Sequence, residues 1–581
     1  MNDIENKKTS LGLRKRFVVF CFFLTSAFLI LRAIDIQITD RDFLIKKGQQ
    51  QYNKVESIPT IRGKILDRNG ELLAISVESQ SIYVHPKQFF DEQNRWGQLE
   101  SLIGQEKGYL KKRLLSRREA KFVYLQPRLI SPQIADRVRA LNFNGLGFER
   151  QFSRFYPHKH ETSHLLGYTG DDHKGQEGIE LLYDRHLTGS PGTQNVFRDA
   201  KKNMIREPEI IEKPEPGKDL NLTIDQRIQY FAFKYLKEAV QTHGADAGSL
   251  VVVKVGTGEV IAMTNQPSFN PNLRSSMVPH KVRNRTVTDS FEPGSTIKPF
   301  TAAAVLSDGL YEPESKIDTS PGKLQLGNYW VGDIENYGVI TLREILEKSS
   351  NVGAIKISLE LGVDSMWETL NGVGFGSPTG LMFPGESFGR LKGFDLWHPT
   401  ERATLSYGYG MAVTVSQLAR AYSVIANGGF SIPLTLVKRD SFFELKNRVL
   451  EEGVTLSLRN MLETAVESGT GKRAKIPGYS VAGKTGTVRK SVGGTYLEDE
   501  HMAIFAGIFP AKNPHLVAVV VIDNPTEGGG GAVAAPVFAA VMQEAARFLN
   551  IRPDLEPIKQ IQSDQFAQSD QATDYFSDRD R

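Results

Sequence analysis

The residues best suited to covalent chemistry lie in Phe291-Glu-Pro-Gly-Ser-Thr-Ile-Lys-Pro-Phe300, where Ser295 and Lys298 stand three apart. Pro293-Gly294 marks a turn and the apolar, Ala-rich run Phe300 to Leu306 marks a helix, which Ser295 then opens. Three helical residues bring side chains back to nearly one face, close enough for a hydroxyl and an amine to exchange a proton. A serine is a poor nucleophile until a base takes its proton. A lysine is that base only where desolvation or a nearby cation lowers its pKa, so the pair makes sense in a partly closed pocket. The spacing alone is a weak signal: S-x-x-K arises on the order of twice by chance in such a chain. A capping serine beside a solvated lysine fits the same pattern.

Two further clusters carry residues of matching chemistry. In Lys348-Ser349-Ser350-Asn351-Val352 a serine and an asparagine stand two apart, after the amphipathic run Leu342 to Leu346. In Val481-Ala-Gly-Lys484-Thr485-Gly486-Thr487-Val488 a lysine precedes two hydroxyls that flank a glycine. That third cluster overlaps Gly478 to Thr485, a full match to the phosphate-cradling pattern G-x-x-x-x-G-K-[ST]. A phosphate loop needs a buried strand before it and a helix after it. Here Lys472-Arg-Ala-Lys-Ile-Pro477 precedes, and Gly486, Thr487-Val488 and Gly493-Gly494 follow, so neither flank fits and the nucleotide reading is set aside. The Gly528 to Gly531 run reads as a flexible loop. His158, His160, His164 and His173 show no zinc spacing and read as loop-surface residues.

The elements that must position these clusters are legible around them. Leu220-Asn-Leu-Thr-Ile224 reads as a strand, and Asp225 as the cap of a helix to about His243. Gly248 to Val255 and Glu259 to Met263 read as strands joined at Thr257-Gly258, with Met502 to Phe509 and Leu516 to Ile522 as two more buried strands. Ala532 to Leu549 reads as a final helix. The pattern is a sheet covered by helices. Further upstream, Asn69-Gly70 between two apolar-containing runs marks a hairpin that opens a separate β-containing module, and the Pro/Gly-rich segment Glu212 to Lys218 reads as its linker.

With 581 residues the chain has room for roughly two to four domains. At 40% hydrophobic, 24% charged and net charge +4 it is of ordinary globular composition, and nothing points to nucleic acid. Its single cysteine, Cys21, leaves the remainder without internal disulfides or a Cys-based metal site, which suits an oxidising compartment. Cys21 lies in the apolar run Phe17 to Leu31, which continues past Arg32 into Ala33-Ile34. Arg14-Lys15-Arg16 flanks that run on its N-terminal side and predicts a single-pass anchor with the N-terminus cytoplasmic and the rest exported. A cleaved signal peptide is the competing reading, but no A-x-A-like site follows the run.

Taken in order, S-x-x-K, S-x-N and K-T-G are the three motifs of the active-site-serine penicillin-recognising enzymes, and the chain resembles that family. Phe291 to Pro299, Phe383-Pro-Gly-Glu-Ser387 and Leu405-Ser-Tyr-Gly-Tyr-Gly410 are similar to class B penicillin-binding proteins. So are Arg62-Gly63, Asp67-Arg-Asn-Gly70, Arg154 with Tyr156-Pro157, and Gly178-Ile-Glu180. Within that class the chain most resembles the division-specific type, often called penicillin-binding protein 3. The resemblance implies an α+β penicillin-recognising serine transpeptidase fold, with a central antiparallel sheet flanked by helices. An elongated β-containing pedestal, or dimerisation-like, module and one transmembrane helix precede it.

The implied boundaries are a cytoplasmic tail 1–16, an anchor 17–38, a stalk 39–60, the pedestal 61–217, the transpeptidase domain 218–550 and a disordered tail 551–581. The implied reaction cross-links peptidoglycan stem peptides ending in D-Ala-D-Ala during septal wall synthesis at the inner membrane, with the catalytic domain periplasmic, β-lactams as inhibitors, and no cofactor or metal. Ser295 attacks, Lys298 is the base, Ser349 relays a proton, Asn351 holds the substrate amide and the lysine, and Lys484 depresses the pKa of Lys298. Lys484, Thr485 and Thr487 take the substrate carboxylate, Gly486 admits it close to a strand edge, and the backbone N–H groups of Ser295 and Thr487 form the oxyanion hole. Arg62, Arg154 and Glu180 are interdomain activation candidates, with Arg154 and Glu180 paired across the module's hinge. Implied partners are divisome membrane proteins including a glycan polymerase. The alternatives are an elongation-specific transpeptidase, a D,D-carboxypeptidase, and a chain that acts chiefly as a divisome scaffold. A β-lactamase is disfavoured by the anchor, the extra module and the lack of an identifiable hydrolytic glutamate.

Overall fold

Runs of β-branched residues with almost no polar interruption, such as Leu250-Val-Val-Val253 and Val517-Ala-Val-Val-Val-Ile522, form strands that are buried on both faces. In the computed structural model, which describes residues 2–197, 205–327, 329–438, 447–492 and 495–555, they lie at the centre of a five-stranded antiparallel sheet. Its order is Val260–Gln266, Ala247–Lys254, Leu516–Asp523, Thr495–Phe509 and Ala482–Val492. The last of these, the strand that carries Lys484, is an edge. Its register sets Lys484 opposite Ala506 and Gly486 opposite Ile504.

Helices cover the sheet. Gln226–Thr242, capped by the Asp225 side chain on Arg227 N, and Gly530–Phe548 share one apolar core with it. A larger core gathers the helices Lys298–Ser307, Asn351–Glu360, Val415–Ala426 and Glu452–Glu467. The helix Lys298–Ser307 is buried from Lys298 through Val305, as a helix apolar on all sides must be. Mixed helix and strand content of this kind makes the fold α+β.

The chain divides into two compact units. One comprises residues 1–61, 150–152 and 189–217, and the other comprises 62–149, 153–188 and 218–581. The first holds the helix Asn2–Ile34, the helix Arg41–Tyr52 and a three-stranded antiparallel sheet ordered Asn53–Ile58, Gly192–Phe197, Glu209–Glu212. Within it, the 26 residues Arg14–Thr39 are long and apolar enough to cross a membrane. They form a candidate anchor. The second unit holds the five-stranded sheet and a smaller core around Phe89, Trp96 and Leu125.

Residues 551–555 pack on the body that holds the five-stranded sheet. Ile551 is buried, and Asp554 accepts hydrogen bonds from both the backbone and the hydroxyl of Ser480. The remainder of the tail expected over 551–581 lies outside the described residues. His164 departs from its expected place in a surface loop: it is buried on the helix Ser163–Leu166, its Nε2 is 2.8 Å from Lys281 O, and burial pushes its pKa down to about 4. The apolar Leu165-Leu166 that follows it draws the short helix into the core.

Candidate active site

Ser295 sits on a single tight turn of helix, Gly294–Ile297, that feeds directly into Lys298–Ser307. The turn is wedged between close backbone neighbours. Gly294 has φ +53°, and a Cβ there would lie 2.4 Å from Val488 Cγ2. Gly294 N donates to Gly408 O at 3.1 Å, and a Cβ on Gly408, itself at φ +92°, would fall 2.1 Å from Gly294 O. Both positions need glycine for conformation and for space. The Ser295 hydroxyl stands half-buried and without a side-chain hydrogen bond among the described residues.

Lys298, 1% exposed, turns into the body. Its Nζ donates to Ser349 O at 2.6 Å and to Asn351 Oδ1 at 2.7 Å, and lies 3.3 Å from Ser349 Oγ. Ser349 ends the helix Leu342–Lys348 in a left-handed conformation, φ 63° and ψ 40°, which few non-glycine residues adopt. Asn351 is the first residue of the next helix, and its Nδ2 donates to Gly332 O at 3.1 Å. The second motif is therefore a helix-to-helix junction folded around one ammonium group.

Lys484 is fully buried. Burial lowers its pKa to about 7. Burial and then the Lys484 cation hold Lys298 well below the ordinary lysine value, with the Asp333 carboxylate acting in the opposite direction. The neutral amine that a base requires is thus favoured in this pocket.

Side chains alternate along the edge strand. On one side, a Cβ on Gly486 would meet Thr296 Cγ2 at 3.1 Å and Pro293 O at 3.3 Å, so that face packs on the serine turn. On the other, Thr485 Oγ1 is 2.8 Å from Thr470 Oγ1, and Thr487 Oγ1 accepts from Gly530 N at 3.2 Å. Lys484 stands in a strand with its ammonium 3.3 Å from Thr485 O, unlike a phosphate-loop lysine at a helix start. The Gly528–Gly531 run is likewise no free loop. Gly530 begins the last helix, and a Cβ on Gly529 would lie 2.2 Å from Thr487 Oγ1.

The structure brings Ser295, Lys298, Ser349, Asn351 and Lys484 to one place, with Thr485, Gly486 and Thr487 on the adjoining edge. Arg62, Arg154 and Glu180 form a separate, buried cluster. Arg62 Nε and Arg154 Nε bind the two oxygens of Glu180 at 2.6 and 2.7 Å, with all three side chains no more than 6% exposed. Arg62 Nη1 continues to Asp184 at 2.7 Å, and Arg154 Nη1 to Gly63 O at 2.8 Å. The Arg154–Glu180 pair is thus part of a buried network and not an exposed ion pair.

Sequence reasoning passed over Asp333. Its Oδ1 accepts from Asn351 N at 2.5 Å and Val352 N at 3.1 Å, and its Oδ2 accepts from Ser350 Oγ at 2.6 Å. It places a carboxylate on a helix N-terminus, where the dipole welcomes it. Thr470 and the rim of Glu292 with Tyr496, whose hydroxyl donates to Glu292 Oε2 at 3.1 Å, were also passed over. Asp333, Thr470 and Tyr496 belong to no short motif, and Glu292, though inside the quoted serine stretch, meets a partner 204 residues away that local pattern does not show.

Comparison with known proteins adds to this geometry. Residues 248–543 match the penicillin binding protein transpeptidase domain model, and residues 57–222 match the penicillin-binding protein dimerisation domain model. A probable peptidoglycan D,D-transpeptidase PbpC of Pseudomonas aeruginosa is 38% identical over 92% of this chain and 95% of its own length. The peptidoglycan D,D-transpeptidase FtsI of Escherichia coli K12 is 37% identical over 92% of this chain and 91% of its own. Among solved structures, penicillin-binding protein 3 of Mycobacterium tuberculosis complexed with ampicillin superposes with TM-score 0.67 at 28% identity, covering 86% of this chain and 98% of that one. Likeness of this extent, in both parts of the molecule, means that the chain belongs to the penicillin-binding protein transpeptidase family.

Proposed function

We propose that this chain is a peptidoglycan D,D-transpeptidase of septal wall synthesis. Arg14-Lys15-Arg16 before the apolar helix favours a cytoplasmic N-terminus and a periplasmic catalytic body in the inner membrane. The observation that carries the reaction is the buried Lys298, held by Ser349 and Asn351 beside a second buried lysine. Neutral Lys298 takes the Ser295 proton as Oγ attacks the carbonyl between the two terminal D-alanines, and the backbone N–H groups of Ser295 and Thr487 receive the oxyanion. Collapse of that intermediate breaks the peptide bond. Ser349, 3.3 Å from Lys298 Nζ, returns the proton to the departing D-alanine amine, leaving an acyl ester on Ser295. The amine of a neighbouring stem then attacks the ester, and its proton passes to Ser295 as the cross-link forms.

Lys484 supplies positive potential for the donor's terminal carboxylate, and Thr485 and Thr487 supply hydroxyls to it. Gly486 keeps the strand edge close to the serine turn. The N-terminal module and the membrane helix are the surfaces we assign to divisome partners, including a glycan polymerase, with the Arg62–Glu180–Arg154 network supporting the active arrangement.

A pulse of fluorescent penicillin followed by a chase tests the reading. A long-lived adduct that disappears in Ser295→Ala supports a transpeptidase. Rapid turnover favours a β-lactamase, and no adduct at all excludes both.

A further inference from the structure

A cleft of about 610 Å³ opens beside the first turn of the helix Gln226–Thr242, and it shares no lining residue with the catalytic set. Two buried side-chain atoms of its lining, Gln226 Oε1 and His158 Nε2, have no hydrogen-bond partner among the described residues. Gln226 is only 7% exposed. Its orientation is determined, because Nε2 donates to Glu161 Oε2 at 2.9 Å and a flipped amide would set oxygen against carboxylate. His158 Nδ1 faces the same Glu161 oxygen at 3.6 Å. With the ring proton on that side, Nε2 presents a lone pair. Gln226 Oε1 is therefore a buried acceptor, and His158 Nε2 is a second one in the tautomer whose proton faces Glu161; buried acceptors of this kind call for a donor.

Charge points the same way. The N–H groups of Gln226 and Arg227 are already taken by the Asp67 and Asp225 carboxylates, so neither is free for an anion. The Arg227 guanidinium is bonded twice to Asp225, at 2.9 and 2.6 Å, and lies over the Phe548 ring. Glu71 and Glu161 leave the lining acidic, and Tyr230 and Phe231 add aromatic surface. A planar cation with several N–H donors satisfies every one of these features, and guanidinium is that group.

We propose that this cleft binds an arginine side chain presented by a partner polypeptide. The cavity is far larger than a guanidinium and leaves room for the flanking backbone. Tyr230, 43% exposed, and the exposed Glu71 stand where an approaching chain would meet them. The site is independent of the transpeptidase chemistry.

The test uses the full chain in detergent and the capped tripeptide acetyl-Gly-Arg-Gly-amide, with its citrulline counterpart and methylguanidine as controls, followed by saturation-transfer NMR. The arginine peptide should bind at least about ten-fold more tightly than either control, and Gln226→Met and Glu71→Lys should each weaken it by about ten-fold or more. Penicillin labelling of each variant reports that the catalytic body is folded. Should Gln226→Met fail to fold, the exposed Glu71→Lys decides. Failure of the arginine peptide to bind, equal binding of the citrulline peptide, or indifference to the variants overturns the site. Methylguanidine binding as tightly as the peptide overturns the polypeptide source.

Discussion

Lys298 and Lys484 oppose one another at the residue scale, and their coupling has a sign that can be measured. With Lys298 as the proposed base, acylation requires it neutral, so the rate should rise with pH through the lowered Lys298 pKa. Lys484→Ala removes a cation that depresses this pKa, so the acid limb of the acylation profile should move to higher pH and the rate near neutrality should fall. Asp333→Asn removes a carboxylate that raises the same pKa, so its limb should move to lower pH, even as the lost charge at the helix start costs about 1–3 kcal/mol of stability. Second-order rates of acylation by a fluorescent penicillin across pH check both, and parallel shifts in the two variants would defeat the scheme. Linkage supplies a third expectation. The folded pKa of Lys484 is depressed to about 7 from 10.5, so between these values the unfolded chain binds more protons and stability rises with pH. A melting temperature that climbs less over this window in Lys484→Met than in the parent chain is the predicted outcome. Proximity of the two lysines follows from the motif order once the family is recognised. Asp333 was illegible because it contacts the second motif from eighteen residues upstream, through a hairpin that carries no pattern of its own.

At the element scale the serine turn depends on glycines that the sequence displays but does not explain. The segment Leu405 to Gly410 is recognisable as family text, yet its physical purpose, a backbone crossing at Gly294, appears only in three dimensions. Gly408→Ala should displace that turn, since a Cβ meets Gly294 O at 2.1 Å and the residue holds φ +92°. A loss of roughly 2–4 kcal/mol is expected, with a larger fractional loss of acylation than of folded protein, measured by thermal melting and penicillin labelling on the same sample. The strands and the final helix were legible because their apolar runs are long and bounded by turn residues, as in Gly248 to Val255. The start of the serine helix was only half legible: a tight turn precedes it, and nothing in Gly-Ser-Thr-Ile distinguishes that geometry from an ordinary first turn. The decoy phosphate pattern shows the reverse, where flanks outrank the motif and a lysine on a sheet edge is the result.

For the whole molecule, the network around Glu180 decides whether the N-terminal module is a support or a control element. Hydropathy disclosed the candidate anchor, and Asn69-Gly70 marked the opening of a β-containing stretch, but burial of Arg62, Arg154 and Glu180 was not legible, because single charged residues in a sequence carry no sign of depth. Once buried, they cannot be treated as a surface pair. Glu180→Gln removes the one carboxylate that serves both guanidinium groups and leaves them short of compensation, a loss of about 3–5 kcal/mol. The unit that holds the network should then melt earlier, while the rate at which penicillin acylates Ser295 stays within about two-fold, because no hydrogen bond of the network among the described residues reaches the serine turn. Control of activity adds a further consequence: Glu180→Lys should abolish septal cross-linking in cells even where the protein is present and labelled by penicillin. Normal septation by a stably accumulated Glu180→Lys chain would reduce the network to a structural support. Loss of both labelling and septation would place the module within the folding of the catalytic body itself.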